Sequence, residues 1–317
     1  VSTLHRLAML TDSVTLLLGV LLAGVGGELF VRGAVGIATA ARVPPGIVGA
    51  TVAAFATSSP ELTVAVTSGL EGRPELALGD ALGSNVANVG LVLGSVLLIG
   101  PMRMAGGVVR RDIAAALSIP AVTGLLALDG VLGATDAGVL LVLFATWLGA
   151  SLTVARRERS AAEDVLGERA PARALLWSAV GLVLLVLAGR LIVSSTKGLG
   201  ADLGLDAFVV GVVFVAIGTS VPELATAVIA RVRGHDEVGL GTILGSNVFN
   251  GALIVPVAAL LSPIDVEWGE IAVSLAFGLA LVVLIVPAGG AVLGRARGIV
   301  LLGGYASSVV VLLLTSG

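Results

Sequence analysis

The 317-residue chain has no cysteine, which excludes a disulfide framework and any thiolate metal site. Its two histidines, His5 and His235, fall in polar end or loop segments, which argues against a histidine-based dyad in the apolar parts. Charged residues make up 12%, about half the share expected of a soluble domain. Aromatics make up 3%. In their place stand 57% hydrophobic residues and 44 glycines, with a mean hydropathy of +1.10. Apolar runs of about 20 residues recur along the whole length, which excludes an unusually apolar soluble protein. This composition predicts many spanning helices packed closely through small residues.

Reading apolar runs between polar or Gly/Pro punctuation predicts an all-α polytopic membrane protein of ten spans. They lie at 13–40, 44–70, 75–99, 111–128, 135–155, 174–201, 206–231, 237–261, 269–288 and 297–316. Residues 13–35 read as a first spanning helix and not a signal peptide, because Glu28 and Arg32 occur where a cleavage site would be needed. Thirteen of the eighteen Arg and Lys fall in alternate loops: Arg42; Arg103, Arg110 and Arg111; Arg156, Arg157, Arg159, Arg169 and Arg173; Arg231 and Arg233; Arg295 and Arg297. The other loops are acidic, with Glu71, Asp129, Asp136, Asp202, Asp206, Asp265 and Glu267. The positive-inside rule then predicts both termini outside and the long polar segment 156–173 in the cytoplasm, as a solvated linker.

The chain repeats itself. "FATSSPEL" at 55–62 matches "IGTSVPEL" at 217–224, and "LGDALGSNVAN" at 78–88 matches "LGTILGSNVFN" at 240–250. One offset of 162 residues covers both motifs, pairing Glu61 with Glu223, Ser84 with Ser246 and Asn88 with Asn250. The predicted organisation is a five-helix repeat at 1–155 (motif 51–95), the linker 156–173, and a second five-helix repeat at 174–317 (motif 213–257). Five is odd, so the second half enters the membrane from the opposite side. Inverted repeats of this kind place a binding site near the midplane, where they meet.

The repeated motif carries the chemistry. A carboxylate within a span is costly and reads as functional by default. Thr57 and Ser58 stand four and three residues before Glu61, on one helical face with it. Pro60 lacks an N–H and leaves the carbonyl of Ala56 free; Pro222 does the same for Gly218. Ser84, Asn85 and Asn88, repeated as Ser246, Asn247 and Asn250, add further oxygens from the next span. All these ligands are oxygens, which suits Na⁺, Ca²⁺ or Mg²⁺, and Ca²⁺ best, because it accepts six to eight flexible oxygen ligands. Two carboxylates balance one divalent or two monovalent ions, and a site neutralised by either in turn is the physical basis of exchange. The pairs Gly79/Gly83 and Gly241/Gly245 predict close helix packing. Glu28 and Arg190 read as interfacial or paired residues.

The doubled "ATSSPE…GSNVAN" and "GTSVPE…GSNVFN" motifs resemble the two alpha-repeats of the calcium/cation antiporter superfamily, and most of all the prokaryotic sodium/calcium exchangers. The resemblance covers the whole chain. It implies Glu61 and Glu223 as central ligands shared by Ca²⁺ and Na⁺, and backbone carbonyls of Thr57 and Thr219 for Ca²⁺. It implies outer Na⁺ sites from Ser58, Ser220, Ser84 and the carbonyl of Ala216. Ser246 and the carbonyl of Ala54 would serve the inner Na⁺ site, and Asn88 and Asn250 the middle. Spans one and six would slide as a gating pair. The chain departs from the family at Ala56, where a glycine is usual, and at Asn250, where many exchangers carry an Asp. Asparagine in both repeats implies a site charge of −2, which three Na⁺ would overbalance.

The implied function is sodium-driven Ca²⁺ antiport in a prokaryotic cell membrane. Proton-coupled exchange is the alternative, with Mg²⁺ as another substrate. Proton-coupled relatives commonly follow the site asparagine with an acidic residue and a histidine, whereas here Val89 and Gly90, or Gly251 and Ala252, follow. A non-transporting cation sensor is a further reading. A channel fits less well, since buried glutamates in inverted halves suit alternating access. An enzyme is disfavoured, because no histidine lies near Ser58 or Ser220. No cofactor and no nucleic-acid partner are expected, and a monomer suffices.

Overall fold

The computed structural model describes residues 3–41, 43, 45–104, 107–162, 172–203, 207–286 and 292–315. The first half comprises α1 (Thr3–Ala41), α2 (Gly46–Thr57), α3 (Ser59–Leu70), α4 (Pro74–Ile99), α5 (Val109–Asp129) and α6 (Ala134–Ala162). The second comprises α7 (Ala172–Leu203), α8 (Ala207–Val232), α9 (Asp236–Leu261), α10 (Trp268–Ile285) and α11 (Arg295–Thr315). Among the described residues, seven helices are long and apolar enough to cross a membrane, and the bent pair α2–α3 makes an eighth. The sequence-read spans meet these helices mostly within about three residues; the larger discrepancies are α1, which starts earlier, and α6, which runs on to Ala162. Of the expected linker 156–173, residues 156–162 continue α6 and 172–173 begin α7, while 163–171 lie outside the described residues.

The helices sort by depth as their sequences dictate. In α4 and α9, which carry the "GSN" motifs, 78% and 83% of the apolar window is buried; in α6 and α11 it is 22%. The outer helices expose Leu17, Leu21, Leu176, Val183 and Leu314, an apolar surface that a bilayer would cover. The inner helices approach through the predicted glycines. A Cβ at Gly83 would stand 2.6 Å from the Val212 Cα, and one at the equivalent Gly245 would stand 2.7 Å from the Ala50 Cα. Thus α4 packs on α8, and α9 packs on α2, each across the two halves. Helices α1 and α7 lie along one another and pack as a pair.

Two short ribbons, which the helical reading did not foresee, also join the halves. β1 (Met102–Arg103) pairs antiparallel with β4 (Val292–Leu293), and β2 (Val131–Leu132) with β3 (Ile264–Asp265). β3 lies 162 residues after β1. β1 precedes α5 and β2 follows it, so these equivalent segments stand at opposite ends of a helix about 31 Å long.

Candidate cation site

The prolines act where the sequence placed them. Ser58 leaves helical geometry at φ −81°, ψ 11°, and Ser220 does the same at φ −79°, ψ 1°. Helices α2 and α3 meet at 42° there. Pro60 and Pro222 open the following helical segments, and Glu61 and Glu223 sit in their first turns. Helix N-termini favour negative charge, so each carboxylate occupies a favourable position on its own helix. Wide π-helical turns flank the breaks at Gly49–Ala53 and Gly211–Val215, and recur at Asn88–Leu93 and Asn250–Ile254. Such turns spoil the regular backbone ladder and are frequent at functional sites. Asn88 and Asn250 begin theirs.

One inferred oxygen is already engaged. The carbonyl of Ala56, which Pro60 was expected to leave free, accepts the Ser59 hydroxyl at 2.8 Å. Val221 occupies the equivalent position and has no hydroxyl to do the same for Gly218. The carbonyl of Ala54 accepts the Ser58 N–H at 2.9 Å, and that of Ala216 accepts the Ser220 N–H at 3.0 Å. Each retains weaker contact with the adjacent threonine hydroxyl, at 3.4 Å from Thr57 and 3.3 Å from Thr219.

The side chains converge across the halves. The Ser246 and Ser58 hydroxyls donate to Glu223 Oε1 at 3.0 and 3.4 Å. The Thr57 and Ser246 hydroxyls lie 3.4 Å apart, and those of Ser84 and Thr219, their counterparts, 3.2 Å apart. Asn88 donates to Asn247 Oδ1 at 3.1 Å. Asn85 and Asn247 donate to each other's backbone carbonyls, at 3.4 and 3.2 Å, and so clasp α4 to α9. Glu61 and Glu223 are 0% exposed, as are Thr57, Thr219, Ser84, Ser246, Asn88 and Asn250. Both oxygens of Glu61, Glu223 Oε2, the Ser220 hydroxyl, Asn88 Oδ1 and the whole Asn250 amide lack a hydrogen-bond partner. Unsatisfied buried oxygens at this density are costly. A cation would satisfy the oxygens among them, because it takes several at once; the Asn250 amide nitrogen is a donor that a cation does not serve.

The two-carboxylate count is corrected here. Asp80 is also buried, and its Oδ1 accepts hydrogen bonds from Thr219 at 2.9 Å and Ser84 at 3.4 Å. Two of the expected ligands therefore contact a third acid that the repeat comparison passed over, because Thr242 stands in its place in the second copy. Its signal was simple: an Asp in the apolar run "LGDALGSN", one turn before Ser84. Glu28, by contrast, is paired with Arg32 and Arg233, away from the cluster. A cavity of ≈ 300 Å³ extends from Glu71 and Arg190 to Pro60 and Thr219, so one end of the cluster has an entry path.

The family model described as "Sodium/calcium exchanger protein" matches this chain twice, over residues 12–153 and 173–314. The chain is 31% identical over 311 residues to the inner membrane protein YrbG of Escherichia coli, covering 94% of this chain and 95% of that protein. It is 25% identical to the sodium/calcium exchanger MaX1 of Methanosarcina acetivorans, covering 94% and 97%. A structure of the sodium-calcium exchanger NCX_Mj, soaked with Na⁺ and Sr²⁺, superposes with a TM-score of 0.80 at 27% identity, covering 95% of this chain and 98% of that one.

Proposed function

The chain belongs to the sodium/calcium exchanger protein family, and on that premise we propose that it exchanges Na⁺ for Ca²⁺ by alternating access at the cluster around Glu61 and Glu223. It is a multi-pass membrane protein of a cation/Ca²⁺ antiporter family. The observation that carries the reading is Glu61: fully buried, with neither carboxylate oxygen hydrogen-bonded, and with Glu223 as a charged neighbour. Two such buried acids repel when both are charged, and a cation between them offsets that repulsion. Ca²⁺ would take both carboxylates, with oxygens from Thr57, Thr219, Asn88 and Asn250 completing a shell of six to eight. Na⁺ would use the same glutamates with Ser58, Ser84, Ser220, Ser246 and the carbonyls of Ala54 and Ala216. Emptied of ions, the buried carboxylates are too costly to reorient, so movement is coupled to loading.

The proposed architecture is ten spans in two inverted five-helix repeats, with residues 156–173 between them. Its support is the recurrence of breaks and π turns at the 162-residue offset, and the placing of β1 and β3 at opposite ends of α5. In the proposed orientation the Glu71 loop is outside, so the ≈ 300 Å³ cavity is an extracellular vestibule. The paired helices α1 and α7 are the proposed moving element.

The test is flux in proteoliposomes. With Na⁺ loaded inside and Ca²⁺ outside, the wild type takes up Ca²⁺, and collapsing the Na⁺ gradient stops it. Uptake that follows a proton gradient and ignores Na⁺ reassigns the coupling ion. No Ca²⁺ movement under either gradient sinks the reading.

A further inference from the structure

We infer that Asp80 is a cation ligand of this exchanger, a third carboxylate that joins Thr219, Ser84 and the carbonyl of Ala216 at the outer Na⁺ site. The inference rests on the exchange reading above and adds to it a residue.

Asp80 lies on α4, one helical turn before Ser84, and is 1% exposed. A buried carboxylate within a span is neutralised by protonation, by a cationic side chain or by an ion, or is held by full hydrogen bonding. Among the described residues, no salt bridge reaches Asp80. Its hydrogen bonds all fall on Oδ1, and Oδ2 has no partner. The hydroxyl of Thr219 donates to Oδ1 and keeps lone pairs for a cation; so can that of Ser84. One carboxylate with two hydroxyls and the nearby carbonyl of Ala216 is an oxygen set of charge −1, which one Na⁺ neutralises.

Two further observations point the same way. Thr219, the donor to Asp80 Oδ1, also lines the ≈ 300 Å³ cavity. Glu61, whose oxygens are unpartnered, has Asp80 as well as Glu223 among its charged neighbours. Yet among the described residues no three acidic or imidazole groups are arranged to hold one metal ion. Asp80 is assigned, through the hydroxyls that donate to its Oδ1, to the Na⁺ at Thr219 and Ser84 beside the glutamates.

The charge arithmetic then changes. Asn250 leaves α9 without an acid at the cluster, and Thr242, the counterpart of Asp80, turns its hydroxyl back to the Val238 carbonyl at 2.8 Å. The third negative charge is supplied from α4 instead. Three carboxylates accommodate three Na⁺, whereas one Ca²⁺ uses two, so each cycle moves one net charge.

The experiment uses the full chain in proteoliposomes, with ⁴⁵Ca²⁺ flux measured against Na⁺ concentration and an imposed K⁺/valinomycin potential. The wild type should show a Hill coefficient for Na⁺ above two and approaching three, and about 59 mV should shift the equilibrium Ca²⁺ ratio tenfold. Asp80→Asn and Asp80→Thr should lower the Hill coefficient to about two or less and abolish the voltage response, while half-saturation by Ca²⁺ moves less than about threefold. The double variant D80N/N250D, which returns an acid to the cluster from α9, should regain the voltage response. Wild-type exchange that is electroneutral overturns the assignment whatever the variants do. So does a D80N or D80T chain that keeps both the wild-type Hill coefficient and the voltage response. Absence of any Na⁺-driven Ca²⁺ flux in the wild type overturns the exchange reading itself, and the assignment with it.

Discussion

Glu61 and Glu223 are chemically equivalent in the repeat and inequivalent in the fold. Glu223 receives two serine hydroxyls, from Ser246 and Ser58, while Glu61 receives none. The hydroxyl of Thr219, which also neighbours Glu61, gives its hydrogen bond to Asp80. Asp80 thus breaks the symmetry of the site by drawing away a donor. We predict that Glu61→Gln and Glu223→Gln each reduce Ca²⁺ uptake to background, because neutralising either removes half the charge that holds a divalent ion. Ser246→Ala and Ser58→Ala act on Glu223 through orientation, and should weaken apparent Ca²⁺ affinity by roughly 10–100-fold. Proteoliposome flux measures the uptake, and isothermal titration with the purified protein measures the affinities. Wild-type affinity in Glu61→Gln would place the ion elsewhere.

The elements that build the site are interrupted helices, and each interruption has a cause. Proline removes an N–H and breaks the helix at Ser58 and Ser220; the π turns widen the backbone where Asn88 and Asn250 must face inward. Close approach of α4 to α8 and of α9 to α2 depends on having no Cβ at Gly83 and Gly245. Valine there overpacks backbone that cannot move aside, at a cost of about 1–3 kcal/mol or more. Gly83→Val and Gly245→Val should lower the melting temperature in detergent by several degrees and reduce the monodisperse fraction. Gly138→Ala, where nothing lies within 4 Å of the added Cβ, should change neither. The glycine motif was readable as packing from its spacing. The π turns were not, because an inserted residue in a helix leaves no periodic mark in so apolar a segment.

At the scale of the molecule, the two ribbons tie the first half to the second at both ends of α5. The proposed orientation puts the ribbon at Ala134 outside and the one at Arg103 inside. The absence of cysteine makes this directly testable. Ala134→Cys should react with a membrane-impermeant maleimide on intact cells. Arg103→Cys, also exposed, should react only after permeabilisation. Reversed labelling would invert the topology, and with it the side on which the vestibule opens.

Composition determined that this chain lives in a membrane, since so little charge and so many apolar runs leave no soluble alternative. The 162-residue repeat located both glutamates, because a duplicated buried acid stands out against apolar background and its neighbours share its helical face. Comparing repeats selects what the halves have in common, and so passed over Asp80, whose partner is Thr242. Which hydroxyl serves which carboxylate, and that Ser59 takes the carbonyl Pro60 leaves behind, depended on contacts between helices or on local rotamers. Spacing along one helix specifies a face, not its neighbour. Only the packing of α4 against α8 brought Asp80 to Thr219, 139 residues away, and made the site's third acid visible.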